Sequence, residues 1–314
     1  MHPSRARFLA TASGAFALGV PFAATAQSTG TLRVASTASD SYGEALYGVD
    51  QGIFKAHGLN VDLQILSSGA AIVAAVAAGA VDIGITNALP LVAAVQHGVP
   101  FLYLCPGGLI NQDEIGLCVS ADSPIRTGKD LEGKTAATSS LNDINVIAIR
   151  AWTDQQGGDS SKVRIVEMPF AQMAIAVRRG TIDAAPIAEP ALSVAKKDGG
   201  LRILLPPIYS VYGNNFMVGG WFATSDWISK NRETARRFVA AIYDTARWAN
   251  SHPDESAAIL AKYAKLDPAV VKNMSRAPYA TRFTPNMIQS VLDLAYKYKA
   301  VDRQYKAAAL MAKL

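Results

Sequence analysis

The sequence predicts an α/β chain folded as two similar lobes with a helical C-terminal tail, and three observations carry that expectation. A strand-helix alternation of three units occurs twice, over residues 32–97 and again over 134–197. Gly79-Ala80-Val81-Asp82-Ile83 in the first block is matched by Gly180-Thr181-Ile182-Asp183-Ala184 at the same place in the second. The chain has 314 residues, half of them hydrophobic and only 18% charged, which is enough to build two cores.

Each element follows from local pattern. Residues 32–35 open a strand, a polar loop follows, and Ala45, Leu46, Val49 and Phe54 mark an amphipathic helix stopped near Gly58. A strand over 61–66 leads to Ser67-Ser68-Gly69, then to an Ala/Val helix closed by Gly79 and to a buried strand ending at Thr86-Asn87. A helix over about 90–97 completes the first block. Between Phe101 and Val119, two strands and a Pro/Gly loop interrupt the rhythm, and they can form a hairpin. The second block has strands at 134–138, 163–168 and 182–187, with helices at 144–156, 171–179 and from Pro190 to Lys197. An aromatic loop around Tyr209, Tyr212, Asn214 and Phe216 precedes a strand at 218–223. Helices starting at Pro or a capping residue then run over 231–249, 253–264, 268–274 and 285–298, and are expected to pack on the first lobe.

The division that follows is a leader over 1–26, a first lobe over 27–118 with 216–314, and a second lobe over 119–215. The leader carries Arg5 and Arg7, an apolar run to Ala24 and Ala24-Thr25-Ala26 before Gln27, the pattern of a secretory signal cleaved near Ala26. Gly14, Gly19 and Pro21 interrupt the run and weigh against a membrane anchor. Ala6 between the arginines favours the general secretory route, and no cysteine near the cleavage site offers a lipid anchor. Periplasmic export is the consequence. The net charge of +5 includes two leader arginines and is too mild for a nucleic-acid partner, and no basic stripe with interleaved aromatics appears. Cys105 and Cys118 would face each other across the hairpin; two buried thiols are the expectation and a disulfide the alternative.

In open α/β sheets, ligands sit beyond the carboxyl ends of the strands. Those positions are Thr37, Ser39, Asp40 and Tyr42; Ser67, Ser68 and Gly69; Thr86 and Asn87 in the first block. In the second they are Ser139, Ser140, Asn142 and Asp143, then Phe170, Gln172 and Glu189, with Tyr212 and Asn214 from the aromatic loop. Every hydroxyl or carboxylate among them can instead cap its own helix. Glu189 can serve either the helix dipole or a ligand amine or amide. No Arg or Lys stands in the set, which points to recognition by amides, hydroxyls and aromatics. The four histidines have no metal-ligand spacing, and neither a Gly-x-Ser-x-Gly elbow nor a phosphate loop is present, so no catalysis, metal or cofactor is expected.

The stretch Gly52-Ile53-Phe54-Lys55-Ala56-His57-Gly58-Leu59-Asn60-Val61-Asp62, Ser68-Gly69-Ala70, the two Gly-x-x-Asp segments, Asp130-Leu131-Glu132-Gly133-Lys134 and Glu189-Pro190 stand in an order that resembles the periplasmic substrate-binding proteins of ABC importers of the nitrate, sulfonate and taurine type. The resemblance implies the type II periplasmic-binding architecture, two lobes joined by two strands, and a monomer. It implies a small organic ligand trapped by hinge closure and delivered to a permease in the inner membrane. It also implies ligand contacts around Ser68 and Gly69, Asn87, Ser139 and Ser140, and Glu189. Taurine-type members carry an aromatic residue before the Pro that follows the last strand, where this chain has Ala188 and Glu189. A nitrogen-containing or aromatic compound therefore stands beside a sulfonate as the expected ligand. Two alternatives share the fold. One is an enzyme making a pyrimidine precursor from its own histidine, which needs an active-site histidine and a cysteine-rich motif that are not found; the other is a stand-alone ligand sensor.

Overall fold

The computed structural model describes residues 30–214 and 216–314. The leader and its cleavage site lie outside the described residues. In chain order the first lobe begins β1 (Leu32–Ser36), α1 (Glu44–Asp50), α2 (Ile53–Ala56), β2 (Val61–Ile65), α3 (Gly69–Ala77), β3 (Ile83–Thr86), α4 (Ala88–Gln96) and β4 (Phe101–Pro106). The second holds β5 (Ile115–Ser120), β6 (Thr135–Thr138), α5 (Ile144–Gln155), β7 (Arg164–Glu167), α6 (Phe170–Arg178), β8 (Ala184–Ala188), α7 (Ala191–Asp198) and β9 (Leu201–Ile203). The chain returns through β10 (Gly220–Thr224) into α8 (Ser225–Lys230), α9 (Arg232–Ser251), α10 (Pro253–Ala264), α11 (Pro268–Lys272) and α12 (Asn286–Lys297).

The sheets have one topology written twice. Their strand orders are β2-β1-β3-β10-β4 and β7-β6-β8-β5-β9, three parallel strands followed by one antiparallel to its neighbours. The repeated sequence segments have a structural role. Gly79 and Gly180 take positive φ of 69° and 68°, ending α3 and α6, a conformation that costs glycine least. Asp82 then accepts from the Arg33 amide at 2.9 Å, and Asp183 accepts from the Thr135 amide at 2.8 Å. Each aspartate thus clamps the entry of the strand beside it, β1 in one sheet and β6 in the other. Gly84 lets α3 lie close on the sheet, because a Cβ there would run into Ile72 and crowd Phe222.

Two segments cross between the lobes, 107–114 outward and 204–219 on return. They pair with each other: Leu109 bridges Met217, Ile110 N–H donates to Phe216 O at 3.0 Å, and Val218 N–H to Gly108 O at 2.9 Å. This is the two-strand hinge.

Several expectations need correction here. β4 and β5 do not form a hairpin, because β4 pairs with β10 in the first sheet and β5 with β8 and β9 in the second. Residues 115–118, assigned to the first lobe, therefore stand in the second sheet. Cys105 lies opposite Trp221, Cys118 opposite Ala185 and Ile203, and both are buried free thiols. β9 went unnoticed in the sequence because it is three residues long. The tail packs on the first lobe through α9 and α10, with Phe54 stacked on Phe238 at 5.7 Å, yet it also reaches the second. There α12 packs on both α4 and α5, α11 meets α7, and Tyr298 Oη donates to Asp154 at 2.9 Å. Among the described residues, no helix is long and apolar enough to cross a membrane.

Candidate functional site

A cavity of about 430 Å³ lies where the carboxyl ends of the strands of both lobes face each other. The first lobe contributes Thr37, Ser39, Ser41 and Tyr42 after β1, Ser67 to Gly69 after β2, and Asn87 after β3. The second contributes Ser139, Asp143 and Asn145 around the start of α5, Phe170 at α6, and Glu189 after β8. The crossings supply Ile110, Glu114, Tyr209 and Val218. An adjoining cavity of about 420 Å³ shares Ala38, Ala171 and Ala191 with it and is walled by Ile175, Val194 and Leu201 on one side and Tyr263 and Leu266 of the tail on the other.

Helix starts dominate the polar rim, because a strand-helix turn leaves the first amides of each helix without intrahelical acceptors. Ser68 Oγ accepts from Ala71 N at 3.2 Å, Asn87 Oδ1 from Leu89 N at 3.1 Å, and Asp143 Oδ1 from Asn145 N at 2.8 Å. Gly69 is the first residue of α3 for a steric reason: a Cβ there would stand 2.5 Å from Thr86 Oγ1.

The three carboxyls on the rim differ in how far their own chain satisfies them. Asp143 Oδ1 also takes Asn145 Nδ2 at 2.8 Å and its Oδ2 takes Ser139 Oγ at 2.9 Å. Burial pushes Asp143 above the ordinary carboxylate range, and those same bonds hold it down in part. Glu189 gives one oxygen to Ser193 N at 2.8 Å and the other to Ser193 Oγ at 2.9 Å. Glu114 accepts from Ser41 Oγ at 2.5 Å through Oε1, while its Oε2 is buried without a partner. Burial, then the nearby Asp40, pushes Glu114 up to about 8, with Glu189 adding to the rise.

Of the residues singled out from sequence, Thr37, Ser39, Tyr42, Ser67, Ser68, Gly69, Asn87, Ser139, Asp143, Phe170 and Glu189 line the cavity. Seven do not. Asp40 is turned inward and fully buried: Oδ1 accepts from Arg276 Nε at 2.8 Å and Tyr47 Oη at 3.1 Å, and Oδ2 from Ala277 N at 2.6 Å. Thr86 is buried behind Gly69. Ser140 Oγ is spent on the Asn142 amide at 3.2 Å, and Asn142 itself is exposed. Tyr212 is buried behind the wall with its hydroxyl donating to Ile144 O at 2.6 Å, and Asn214 is exposed. Gln172, on the solvent side of α6, is exposed as well.

Sequence reasoning missed Ser41, Glu114, Asn145 and Tyr209. Asn145 and Tyr209 meet through Tyr209 Oη donating to Asn145 Oδ1 at 2.7 Å. A signal existed for Asn145, the Asp-x-Asn at a helix start, but none for Glu114, which sits in an irregular crossing.

Two α/β lobes with a cleft at the strand ends and a paired crossing behind it define a hinge-type binding fold. The chain belongs to the NMT1/THI5-like family, whose model matches residues 42–256. It is 27% identical over 209 residues to the taurine-binding periplasmic protein of Escherichia coli, an alignment covering 65% of this chain and 62% of that one. It is 25% identical over 234 residues to a putative aliphatic sulfonates-binding protein of the same organism, covering 72% and 71%. Among solved structures, the alkanesulfonate-binding protein of Xanthomonas axonopodis pv. citri bound to MOPS superposes with a TM-score of 0.77 at 17% identity, over 90% of this chain and 98% of that one. The periplasmic nitrate-binding protein of Synechocystis PCC 6803 gives 0.73 at 13% identity, over 89% and 84%.

Proposed function

We propose that this chain is the solute-binding component of an ABC importer, exported to the periplasm, that captures a small organic molecule in the interlobe cleft and hands it to a permease in the inner membrane. The lobes divide at the two crossings, so that 30–106 with 220–314 move as one body against 115–203. The protein works as a monomer and without a cofactor. The observation that carries this reading is the cavity built from both lobes at their strand ends, a place where closing the hinge desolvates a ligand from two sides. Relatives described as taurine- and sulfonate-binding periplasmic proteins support it.

The residues proposed to meet the ligand are Ser39, Ser41, Tyr42, Ser67, Ser68, Gly69, Asn87, Ser139, Glu114 and Tyr209. The test is a thermal-shift screen of the chain from Gln27 against sulfonates, nitrate, pyrimidines, aromatic carboxylates and amino acids. One class is expected to raise the midpoint, since a ligand at one hundred times its Kd stabilises the fold by about 2.7 kcal/mol. Ser68→Trp, which fills the space before α3, is expected to abolish that shift, while loss of the α3 cap lowers the unliganded midpoint by only the few degrees that about 1 kcal/mol represents. No binder in the screen, and no small molecule released on denaturation, would overturn the reading.

A further inference from the structure

We infer that the captured solute presents an N–H donor to Glu114, as an ammonium, amidinium or amino-heterocycle, and is not a simple sulfonate or nitrate. This rests on the solute-capture reading above and adds the chemical class.

The cavity is lined by three carboxyl groups and by no Lys, Arg or His. An anion brought between Glu114, Asp143 and Glu189 would lose water and find no compensating cation on the cavity wall, in a space where screening is weak. Asp143 and Glu189 are satisfied by their own helices, through Asn145 and Ser139 for the first and Ser193 for the second. Glu114 alone of the three keeps a buried oxygen with no partner, although the residue is only 2% exposed. A buried acceptor left unpaired is costly, and a ligand N–H is the group that satisfies it.

Other groups on the cavity wall suit the rest of such a molecule. Hydroxyls of Thr37, Ser39 and Ser67 and the first amides of α3 can donate to a ring nitrogen or a carbonyl. Ile65, Ile115, Phe170 and Val218 supply apolar faces for a flat ring between the two ends.

Glu114 is faced by Asp40 and Ser41 from the loop after β1, by Glu189 from the end of β8, and lies near the phenols of Tyr42 and Tyr209. No cation is among them, although Arg276 neutralises Asp40 from behind. Held up to about 8, Glu114 meets a ligand at pH 7 as a neutral acid. A cation expels that proton on binding, whereas a neutral donor leaves it in place on Oε1, facing Ser41 Oγ, so that Oε2 stays an acceptor. The neutral acid can also donate to an anion, so anionic probes belong in the test.

The experiment uses four probes of matched size on the mature chain, benzamidine, 4-aminopyrimidine, benzoate and benzenesulfonate, with midpoint shifts followed by calorimetry in two buffers of different ionisation enthalpy. A nitrogen probe is expected to bind and the two anions to fail. If the solute is a cation, benzamidine binds with release of about one proton at pH 7, and Glu114→Gln lowers its affinity ~10- to 100-fold and abolishes the release. If it is a neutral donor, 4-aminopyrimidine binds without proton release and Glu114→Gln costs ~2- to 10-fold. The unliganded midpoint of that variant, which keeps shape and removes a buried acid, checks that it folds. Binding of benzoate or benzenesulfonate alone, or nitrogen-probe affinity unmoved by Glu114→Gln, overturns the inference and leaves solute capture standing. If no probe binds, mass spectrometry of the denatured extract decides: a stoichiometric molecule bearing an N–H supports the inference and one without it overturns it. An extract with no such molecule overturns both the inference and the solute-capture reading.

Discussion

On the second-lobe wall of the cleft, Asp143 reaches two residues ahead to Asn145 and four back to Ser139, and Glu189 reaches four ahead to Ser193. Behind the first-lobe wall, Asp40 crosses 236 positions to find Arg276 and 239 to find the hydroxyl of Tyr279. Both walls carry local caps, Ser68 and Asn87 on the first and Asp143 on the second, but the first is also backed by a buried network closed only in the finished fold. Local caps fasten a loop to its own helix, so the second-lobe rim can travel as a unit. The Asp40 network fastens the loop after β1 to the tail, so the first-lobe rim is fixed against the bulk of the molecule.

The hardest way to break this contrast is Arg276→Ala. It strands Asp40 as an uncompensated buried charge, and the expected loss is about 3–5 kcal/mol by urea unfolding at unchanged m. A loss below about 1 kcal/mol would mean that the first-lobe wall does not depend on the network.

A second test concerns Glu44, buried beneath the same wall with neither carboxyl oxygen hydrogen-bonded. Burial pushes it up to about 8, as it does Glu114. Their folded values lie above the ordinary value of about 4.5, so between about pH 4.5 and 8 the folded state holds more protons than the unfolded one. Stability of the unliganded protein is therefore expected to fall as pH rises through that window, by at most about 1.4 kcal/mol per pH unit for each group. Glu44→Gln should flatten the decline and raise the midpoint at pH 8 with little change at pH 4. An unaltered slope would remove Glu44 from the account.

On the other wall, Asp143→Ala deletes a cap and is expected to cost about 1 kcal/mol, within the range of such caps, at roughly a third of the Arg276 effect. Equal losses for the two variants would erase the distinction between the walls. The smallest effect belongs to Tyr298→Phe, which removes an exposed bond from the tail to Asp154 of α5. Its stability cost is expected within about 0.5 kcal/mol. The informative readout is the radius of gyration by small-angle scattering, where a more open population without ligand is the expected outcome.

What could be read from the chain alone follows the same division. The capping roles of Ser68, Asn87, Asp143 and Glu189 and the twin Gly-x-x-Asp segments depend on neighbours a few residues away, and the pattern of residue types carries them. So does the alternation of strand and helix that made two lobes visible. Sheet membership of β5 was not legible, because the apolar pattern of a strand is the same whichever sheet it enters and a short Pro/Gly link imitates a hairpin. Glu114 was not legible either. Its burial depends on Ser41, 73 positions away, and nothing in an irregular crossing announces that contact. Asp40 was assigned to the cleft by position along the strand end, where only the tail, folded back, decides that it faces inward.

The paired crossing has a consequence for anyone wishing to turn this protein into an optical sensor. Leu109 N–H donates to Pro278 O at 2.7 Å, Met217 N–H to Met287 O at 2.8 Å, and Asn111 Nδ2 to Arg276 O at 2.9 Å. The connecting strands are thus laminated to the C-terminal segment as a third ply. A reporter domain spliced into either crossing would split that laminate. One spliced at an exposed turn outside both crossings, such as Gly199-Gly200, would leave those three bonds in place.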